Sequence, residues 1–499
     1  MRECIQTSRR FFLRGLGASS AASLFSGCRL FESRPVKREV TGEVRLKFGV
    51  VSDVHLHNAT DNLLEHGVDI FGFRHALEWY RDQGVDAVII AGDMADNGLC
   101  VQLERVAKVW NEVFPNNKAP DGHTVEKLFV TGNHDWEGVT YGLDLNKLYP
   151  DPKVREKQVI SNDLPGNWER IFGEPFKPVY VKEIKGYTFI GAHWCRERSL
   201  GGVADPTEVI AKVGPTIDPR KPFFFFQHPQ PKGTCYGAKC WGQDRGLSTQ
   251  ALSAFPNAVA FSGHSHYSLT DERTIWQGAF TSINTSSLRY TDFPPSLDEY
   301  GFENAGSVAP EINRERVAEP CPWQWVAQQG MLVKVYDDAM VIVRREFRWN
   351  ESLGDDWVMP LQFDGSNPMS EENRQEEELP PRYPEGAQAK LLSCERVNRA
   401  GEKVPCWEVR VPQANVEKAT RPLMYEMKIV LEDGTVYGTR RLLTPGYNLP
   451  PETVDCYCPI SFPLAKRQLP QDQAFHFEIT PVSSLGTRGK SLVTEVVGG

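Results

Sequence analysis

The sequence lacks both a long apolar run and an excess of basic residues. Its densest internal apolar stretch, residues 85–91, is far shorter than the ~18 residues that a membrane-spanning helix needs. The 499 residues include 65 acidic and 56 basic side chains, which gives a net charge of -9. Such a charge argues against a broad surface for nucleic acid or anionic lipid. We therefore expect no transmembrane segment and no general nucleic-acid-binding face.

Zinc-ribbon spacing of cysteines is also absent. Of 11 cysteines, nine follow residue 28, and of these only Cys456 and Cys458 are closely spaced, with no second knuckle to match them. An odd number leaves at least one free thiol even where disulfides can form. Cys235 and Cys240 are the predicted local disulfide pair, whereas four cysteines in the C-terminal region leave three pairings open.

The first thirty residues have the composition of an export signal. Arg9 and Arg10 precede a Phe-Phe-Leu-Arg run and a mildly apolar stretch rich in Ala, Ser and Gly. The segment 1–28 resembles a Tat signal peptide, which implies a periplasmic or extracellular protein. It ends in Ser-Gly-Cys28, as a lipoprotein signal does. Simple cleavage and a lipid anchor at Cys28 both remain open.

From residue 44 onward, short apolar strands alternate with amphipathic helices, which predicts a βαβαβ opening. Two long segments interrupt the pattern. Residues 141–178 are predicted to be an insertion over the site. Residues 284–330 lack periodicity and carry aromatic side chains that form either a packed lid or a wall stacking on substrate.

An acidic, Pro-rich stretch over residues 351–385 is predicted to be a solvated linker. Beyond it, half-buried strands and Gly/Asp/Pro turns predict a small β-sandwich, similar in length and spacing to fibronectin type III modules. The predicted organisation is a signal peptide at 1–28, a linker at 29–43, an α/β domain at 44–350, the acidic linker at 351–385 and the β-sandwich at 386–499.

Five short motifs follow predicted strands in chain order: D-x-H, G-D, G-N-H-D, a single His and G-H-x-H. Ligands of open α/β sheets bind at the carboxyl ends of strands, so these side chains can converge. Carboxylate, imidazole and amide donors without thiolate suit Mn, Fe, Zn or Co. Asp93 has two oxygens and can bridge two metals ~3.5 to 4 Å apart, as in displacement at phosphorus. The candidate ligands are Asp53, His55, Asp93, Asn133, His228, His264 and His266.

This ordered set resembles the calcineurin-like metallophosphoesterase family over roughly residues 44–350. The resemblance implies a four-layer α/β/β/α sandwich of two mixed sheets and a site for two divalent or trivalent metal ions, whose identity (Mn, Fe, Zn or Co) stays open. The implied ligands are Asp53, His55 and His266 on the first metal and Asn133, His228 and His264 on the second, with Asp93 bridging both.

The same resemblance implies hydrolysis of a phosphate ester. A hydroxide bridging the metals attacks phosphorus, and the ester oxygen leaves on the opposite side. His134 would stabilise the transition state or protonate the leaving oxygen, and Asp135 would orient the His134 imidazole. His193 and Asp96 are further substrate-side candidates, for which a structural histidine and a loop-capping aspartate are the alternatives.

Several function classes stay open within this chemistry. The protein is predicted to be a phosphodiesterase or phosphatase, and the alternative is a nuclease or nucleotide hydrolase on the same site. A non-catalytic metal-stabilised binding protein would need a broken ligand set, and none is broken. Purple acid phosphatases are disfavoured, because the first motif has His55 where they have Gly and no Tyr follows Asp93 closely.

Overall fold

The structure is a computed structural model. It describes residues 40, 42–57, 68–194, 202–292, 294–298, 301–302, 327–397, 401–414, 420–450 and 460–498. The predicted signal peptide, its Cys28 and most of the aromatic stretch within 284–330 lie outside these residues. None of the helices within them is long and apolar enough to cross a membrane.

The described residues alternate strands and helices up to residue 284 and are mostly strands thereafter. The strands are β1 (Leu46–Val51), β2 (Ala87–Ala91), β3 (Glu126–Val130), β4 (Val179–Ile184), β5 (Tyr187–Ala192), β6 (Phe223–Phe226), β7 (Ala258–Ser262), β8 (Ile275–Gln277), β9 (Thr281–Asn284), β10 (Gln329–Val335), β11 (Ala339–Glu346), β12 (Glu351–Ser352), β13 (Trp357–Pro360), β14 (Lys390–Val397), β15 (Lys403–Val411), β16 (Met424–Leu431), β17 (Val436–Leu443), β18 (Ile460–Ala465), β19 (Phe475–Val482) and β20 (Leu492–Val493). The helices are α1 (Val68–Asp82), α2 (Cys100–Val113), α3 (Asn133–Glu137), α4 (Leu145–Leu148), α5 (Pro152–Gln158), α6 (Leu164–Phe172), α7 (Thr207–Val213), α8 (Leu247–Leu252) and α9 (Glu371–Glu377).

Two mixed sheets form the centre of the α/β region. The first has the order β12-β11-β10-β1-β2-β3, with β13 also paired to β11, and its β1, β2 and β3 are parallel. The second has the order β4-β5-β6-β7-β9-β8, with β5, β6, β7 and β9 parallel. The parallel strands of each sheet therefore end at a common edge, where the predicted motifs follow them.

The sheets pack face to face, and helices cover their outer faces. In β6, four consecutive phenylalanines are fully buried, because a strand covered on both faces needs no polar alternation. Phe224 and Phe226 face the first sheet, and Phe223 and Phe225 pack under α7 and α8. On the other side α1 and α2 bury their apolar faces against β1 and β2. The predicted α/β/β/α layering is confirmed.

Residues 351–385 differ from the predicted solvated linker. β12 and β13 pair with β11 and extend the first sheet, and Trp357 and Met359 are buried in the core between the sheets. Arg374 of α9 donates a hydrogen bond to the Ile275 carbonyl at 2.7 Å. The acidic composition reflects the exposed side of α9 (Glu371–Glu377), whereas a few apolar residues between the charges fix the segment to the domain.

The C-terminal region consists of two antiparallel sheets, β14-β15-β18 and β17-β16-β19-β20. Val409 and Phe462 from one sheet and Tyr425 and Phe477 from the other share one core, as predicted for an all-β region. The fibronectin type III resemblance stays a prediction. This region contacts the α/β region directly, since the Tyr447 hydroxyl donates to the carbonyl of Thr270 at 3.2 Å.

The predicted disulfide between Cys235 and Cys240 is wrong. Both are free thiols. The Cys235 Sγ is directed toward the carbonyl of Thr274 at 3.1 Å, whereas the Cys240 Sγ approaches the carbonyl of Trp241 at 3.2 Å. Each thiol is thus engaged by backbone of a different segment, and the short loop closes without a covalent link.

Candidate metal centre

The predicted ligands lie where strands of both sheets end. Asp53 and His55 follow β1, and Asp93 and Asn133 follow β2 and β3. The second sheet contributes His228 after β6, and His264 and His266 after β7. The parallel strands of the two facing sheets therefore bring all seven side chains to one edge of the domain.

Five of the seven residues have left-handed backbone, which is uncommon outside glycine and is tolerated better by Asp and His than by β-branched residues. The chain turns sharply after each strand, and the Asp53 N–H donates to the Gly92 carbonyl at 3.0 Å to hold the turn after β1. The left-handed residues are Asp53 (φ 52°), His55 (φ 47°), Asp93 (φ 51°), His264 (φ 71°) and His266 (φ 56°).

The first half of the centre is formed by Asp53, His55 and His266, all buried. His266 Nε2 lies 2.9 Å from Asp53 Oδ1 and 3.3 Å from His55 Nε2. The other carboxylate oxygen, Asp53 Oδ2, accepts the backbone N–H of His264 at 3.0 Å. One oxygen of Asp53 is thus fixed by the backbone, and the other points at the two imidazoles.

The second half is arranged around His228. Its Nε2 lies 3.0 Å from Asp93 Oδ2, 3.1 Å from Asn133 Oδ1 and 3.1 Å from His264 Nδ1. Asp93 Oδ2 is also 3.7 Å from His55 Nε2, so this oxygen lies between the two halves. The N–H of His134 donates to Asp93 Oδ1 at 2.8 Å and fixes the carboxylate in that position.

The chemistry of these donors fits cations. Asp53 Oδ1 is buried and accepts no hydrogen bond of ordinary geometry from any described group, although imidazole nitrogens surround it. Because His228 Nδ1–H donates to the Ala91 carbonyl, the neutral ring has no proton on Nε2, and that nitrogen faces the Asp93 and Asn133 oxygens with no donor between them. The oxygen and imidazole donors form two groups, and each group suits a transition-metal ion. One group contains Asp53, His55 and His266, and the other contains Asp93, His228 and His264.

The electrostatics favour positive charge in the same space. Burial lowers the pKa of His55, but hydrogen bonds with Asp53 and Asp96 and the charge of Asp93 outweigh it and raise the pKa to about 10. The pKa of His228 is likewise raised to about 9, against its burial, by Asp93 and Asp53. The carboxylates therefore stabilise cationic partners strongly enough to overcome desolvation.

Residues 46–268 match the family model for calcineurin-like phosphoesterases. The chain carries a calcineurin-like phosphoesterase domain. The family depends on a binuclear metal site, and the chain is accordingly a phosphoester hydrolase with clustered Asp and His ligands.

Similar solved structures include a dimetal phosphatase from Danio rerio, with 13% identity, a TM-score of 0.38 and coverage of 64% of this chain and 100% of that one. A purple acid phosphatase from yellow lupin seeds has the same identity and TM-score, over 64% of this chain and 54% of its own. At these scores the likeness does not bear on function. No curated protein matches the sequence.

Two histidines of the phosphoesterase domain are oriented through the nitrogen that faces away from the centre. His55 Nδ1 lies 3.1 Å from Asp96 Oδ1, and His228 Nδ1–H donates to the Ala91 carbonyl at 2.8 Å. Such partners fix the ring and leave Nε2 for a metal. Asp96, a substrate-side candidate in the sequence, therefore lies behind His55 and contacts its ring.

The predicted pairing of Asp135 with the His134 ring is wrong. His134 Nδ1–H donates to the Asp96 carbonyl at 2.7 Å. The buried Asp135 carboxylate instead accepts the backbone N–H groups of Ala95 at 2.7 Å and Gly132 at 2.8 Å. Burial and the charge of Asp93 raise the pKa of Asp135 to about 7. Asp135 therefore joins the loops after β2 and β3 through backbone N–H groups.

His193, the other substrate-side candidate, lies away from the centre. Its ring is buried against Trp168, Phe176 and Tyr180, and its Nδ1 accepts the Thr131 N–H at 3.1 Å. Burial lowers the pKa of His193 to about 3. His193 is the structural histidine that the sequence left as the alternative.

Glycines at the centre have a role that the sequence argument missed. Gly92 lies in a tight turn after β2, with a φ of 91°. Gly132 and Gly263, however, are required by space, since a Cβ at these positions would lie 2.2 Å from Asp93 Oδ1 and 2.4 Å from Asp53 Oδ2. Glycine directly before a ligand or after a β-strand is the signal that could have indicated this close approach.

Several aromatic rings also pack on residues of the centre, among them those of Trp241, Tyr141 and Tyr290. Trp241 is stacked on His264, with ring centroids 4.6 Å apart and an interplanar angle of 24°. Tyr141 lies 4.7 Å from the His134 ring, and Tyr290 lies 4.5 Å from the His266 ring. The sequence flagged Tyr290 within its aromatic stretch, but nothing in the motifs pointed to Trp241 or Tyr141.

Proposed function

We propose that this protein is an exported enzyme that hydrolyses phosphate esters, as a phosphodiesterase or phosphatase, with two metal ions at the centre described above. The observation that carries the proposal is the convergence of Asp53 Oδ1 and Asp93 Oδ2 on imidazole nitrogens in a buried site. Tat export is supported by the twin arginines at positions 9 and 10.

The ligand roles follow the two halves of the centre. Asp93 would be shared, since its Oδ2 lies within 3.7 Å of a histidine from each half. When bound, two such ions polarise the phosphoryl oxygens and lower the pKa of the attacking water. The first ion would be held by Asp53, His55 and His266, and the second by Asn133, His228 and His264.

His134 is suited to give a proton to the leaving oxygen. Its Nδ1–H is committed to the Asp96 carbonyl at 2.7 Å, which leaves Nε2 as the nitrogen that exchanges a proton. Burial, the main cause, lowers the pKa of His134 below its ordinary value. The protonated ring is therefore a stronger acid, and it is populated mainly on the acidic side of the ordinary histidine range.

The function is tested with purified protein that has been stripped by chelation and reloaded with Mn²⁺. A chromogenic phosphate monoester and the matching diester are assayed beside Asp93→Asn and His134→Ala. We expect turnover by the wild type and loss of roughly 100-fold or more in both variants, with His134→Ala retaining its metal. Absence of bound metal in the wild type would contradict the proposal, and the preferred ester assigns the protein to phosphodiesterases or phosphatases.

Export is tested separately. Replacing both arginines, Arg9→Lys with Arg10→Lys, is expected to retain the protein in the cytoplasmic fraction. Unchanged export of the double variant would contradict a Tat signal, and metabolic labelling with a fatty acid distinguishes acylation of Cys28 from simple cleavage.

A further inference from the structure

Trp241 is an exposed aromatic side chain at the edge of the metal centre. Its side chain is 62% exposed although it is the bulkiest kind of apolar residue. It stacks nearly parallel on His264, which leaves much of the indole surface to solvent beside a predicted ligand of the second metal. Because the exposed face lies beside predicted metal ligands, it is available for contact with a ligand bound at the centre.

The loop that carries Trp241 is fixed. The Gln230 N–H donates to the Gly242 carbonyl at 3.0 Å, and the Asp244 N–H donates back to the Gln230 carbonyl at 2.8 Å. The Asp244 carboxylate also accepts the Lys232 N–H at 3.0 Å. The backbone that carries the indole is therefore ordered, and the ring itself rests on His264, which reduces the ordering entropy that stacking on it costs.

Tyr141 provides a second exposed ring on the same half of the centre. It is 47% exposed, and its hydroxyl accepts a hydrogen bond from Asn133 Nδ2 at 3.4 Å. Its ring also lies 4.7 Å from that of His134, the predicted proton donor. Trp241 and Tyr141 thus both contact predicted ligands of the second metal, and Tyr141 also contacts the predicted proton donor.

We infer that Trp241, assisted by Tyr141, selects phosphate esters whose organic group carries a planar ring, by stacking on that ring beside the second metal. The inference rests on the proposed function and deepens it by naming a substrate class. Planar rings stack on indole faces independently of their substituents, so aryl esters and nucleoside esters share this chemistry.

The test compares matched ligands with and without a ring. Phenyl phosphate is paired with glycerol phosphate, and adenosine 5′-monophosphate with ribose 5-phosphate. Each variant is compared with the wild type on the same substrate, so differences in leaving-group reactivity cancel. We expect Trp241→Ala to raise KM about tenfold for ring-bearing esters and less than about twofold for ring-free ones, with Trp241→Phe close to the wild type.

Binding without turnover gives an independent readout. Titration calorimetry with phenylphosphonate and methylphosphonate measures the same contact in the metal-loaded protein. Trp241→Ala is expected to weaken only phenylphosphonate, by about tenfold, at unchanged metal content. Tyr141→Leu is expected to weaken it less, because Tyr141 assists the contact that Trp241 provides.

The outcomes separate the inference from the function on which it rests. Equal losses on ring-bearing and ring-free ligands, or a loss of metal in Trp241→Ala, would show that Trp241 only supports His264 and would overturn the inference. A wild type that binds both phosphonates but hydrolyses no ester would overturn the proposed function instead. An effect confined to the adenosine pair would identify nucleoside esters as the selected class, and one confined to phenyl phosphate would identify aryl esters.

Discussion

The phosphoesterase domain buries histidines in two different surroundings on either side of the loop that follows β3 (Glu126–Val130). In the metal centre, carboxylates lie within 4 Å of His55 and His228, and the pKa values of both are raised, to about 10 and about 9. The second surrounding is the aromatic pocket, in which the rings of Trp168, Phe176 and Tyr180 contact His193. There, burial alone lowers the pKa of His193 to about 3. Burial therefore does not mark a functional histidine, whereas its charged partners do.

His264 differs from His55 and His228 within the centre. Burial and the charge of the neighbouring His228 lower its pKa to about 3, since its nearest partner is an imidazole rather than a carboxylate. Histidines with a pKa this low stay neutral and keep a lone pair for a metal. The partner therefore sets the charge of each ring.

The largest effect is expected from crowding a carboxylate without removing any ligand. In Gly263→Ala the new Cβ would lie 2.4 Å from Asp53 Oδ2 and 2.5 Å from Ser52 Oγ, so the carboxylate must move. We expect affinity for one metal ion to fall roughly 100-fold, at the upper end for groups that orient ligands. Competition titration with a chelating dye measures it, and Gly438→Ala, whose Cβ would make only ordinary contacts at 3.8 Å, is the control. Two ions bound with wild-type affinity would contradict the close approach.

The aromatic pocket is tested through pH. Folded His193 stays neutral down to about pH 3, whereas the unfolded side chain protonates below about pH 6.5, so its contribution is present above pH 6.5 and is lost as pH falls toward 3. As the pH falls from 6.5 to 5, protonation of the unfolded side chain lowers the free energy of unfolding by about 2 kcal/mol.

His193→Asn, which keeps an acceptor for the Thr131 N–H, should lose this term. Urea denaturation of metal-free wild type and variant at both pH values measures the difference. The variant is expected to be less stable at neutral pH, because its smaller side chain leaves space among the rings. A pH dependence identical in the two proteins would contradict the assignment of a neutral His193.

A smaller effect is expected from the carboxylate behind His55. Asp96→Asn keeps an oxygen near His55 Nδ1 but removes its negative charge, and we expect metal affinity to fall about tenfold. Isothermal titration with Mn²⁺ measures it, and Asp433→Asn in an exposed turn is the matched control. Unchanged affinity would mean that Asp96 stabilises its own loop and does not orient the His55 ring.

The smallest effect concerns backbone strain. His264 has a φ of 71°, so in metal-free protein His264→Gly should be more stable than His264→Ala by about 1 kcal/mol, although both lack the imidazole. The same pair at His476, within β19 (Phe475–Val482), should show the reverse order, because glycine weakens a strand. Chemical denaturation of the four variants decides it, and equal stability of the His264 pair would mean that the left-handed turn costs nothing.

Much of the centre could be predicted from sequence because its ligands follow strands in a fixed order. The structure brings together all seven predicted ligands. Asp135 could not be placed, since its partners are backbone N–H groups that carry no residue identity. The left-handed turns and the crowding at Gly132 and Gly263 arise only when two sheets meet, and Trp241 reaches His264 from a loop with no motif.

Outside the centre, local patterns were again predicted from the sequence, whereas pairings between distant segments were not. The βαβαβ opening was predicted because its apolar periodicity is local. Strands β12 (Glu351–Ser352) and β13 (Trp357–Pro360) were missed, because a few apolar residues among acidic ones become a sheet edge only through pairing with β11 (Ala339–Glu346). The predicted disulfide failed for a related reason, since proximity along the chain did not determine where the thiols point.

The position of β1 (Leu46–Val51) sets the order in which the molecule can be completed. β1 pairs with β10 (Gln329–Val335), so the sheet that carries Asp53 and His55 closes only after most of the chain has been synthesised. Pairings this distant in sequence are slow to form. On the ribosome, the sheet that supports the first two ligands therefore stays incomplete until β10 has been synthesised.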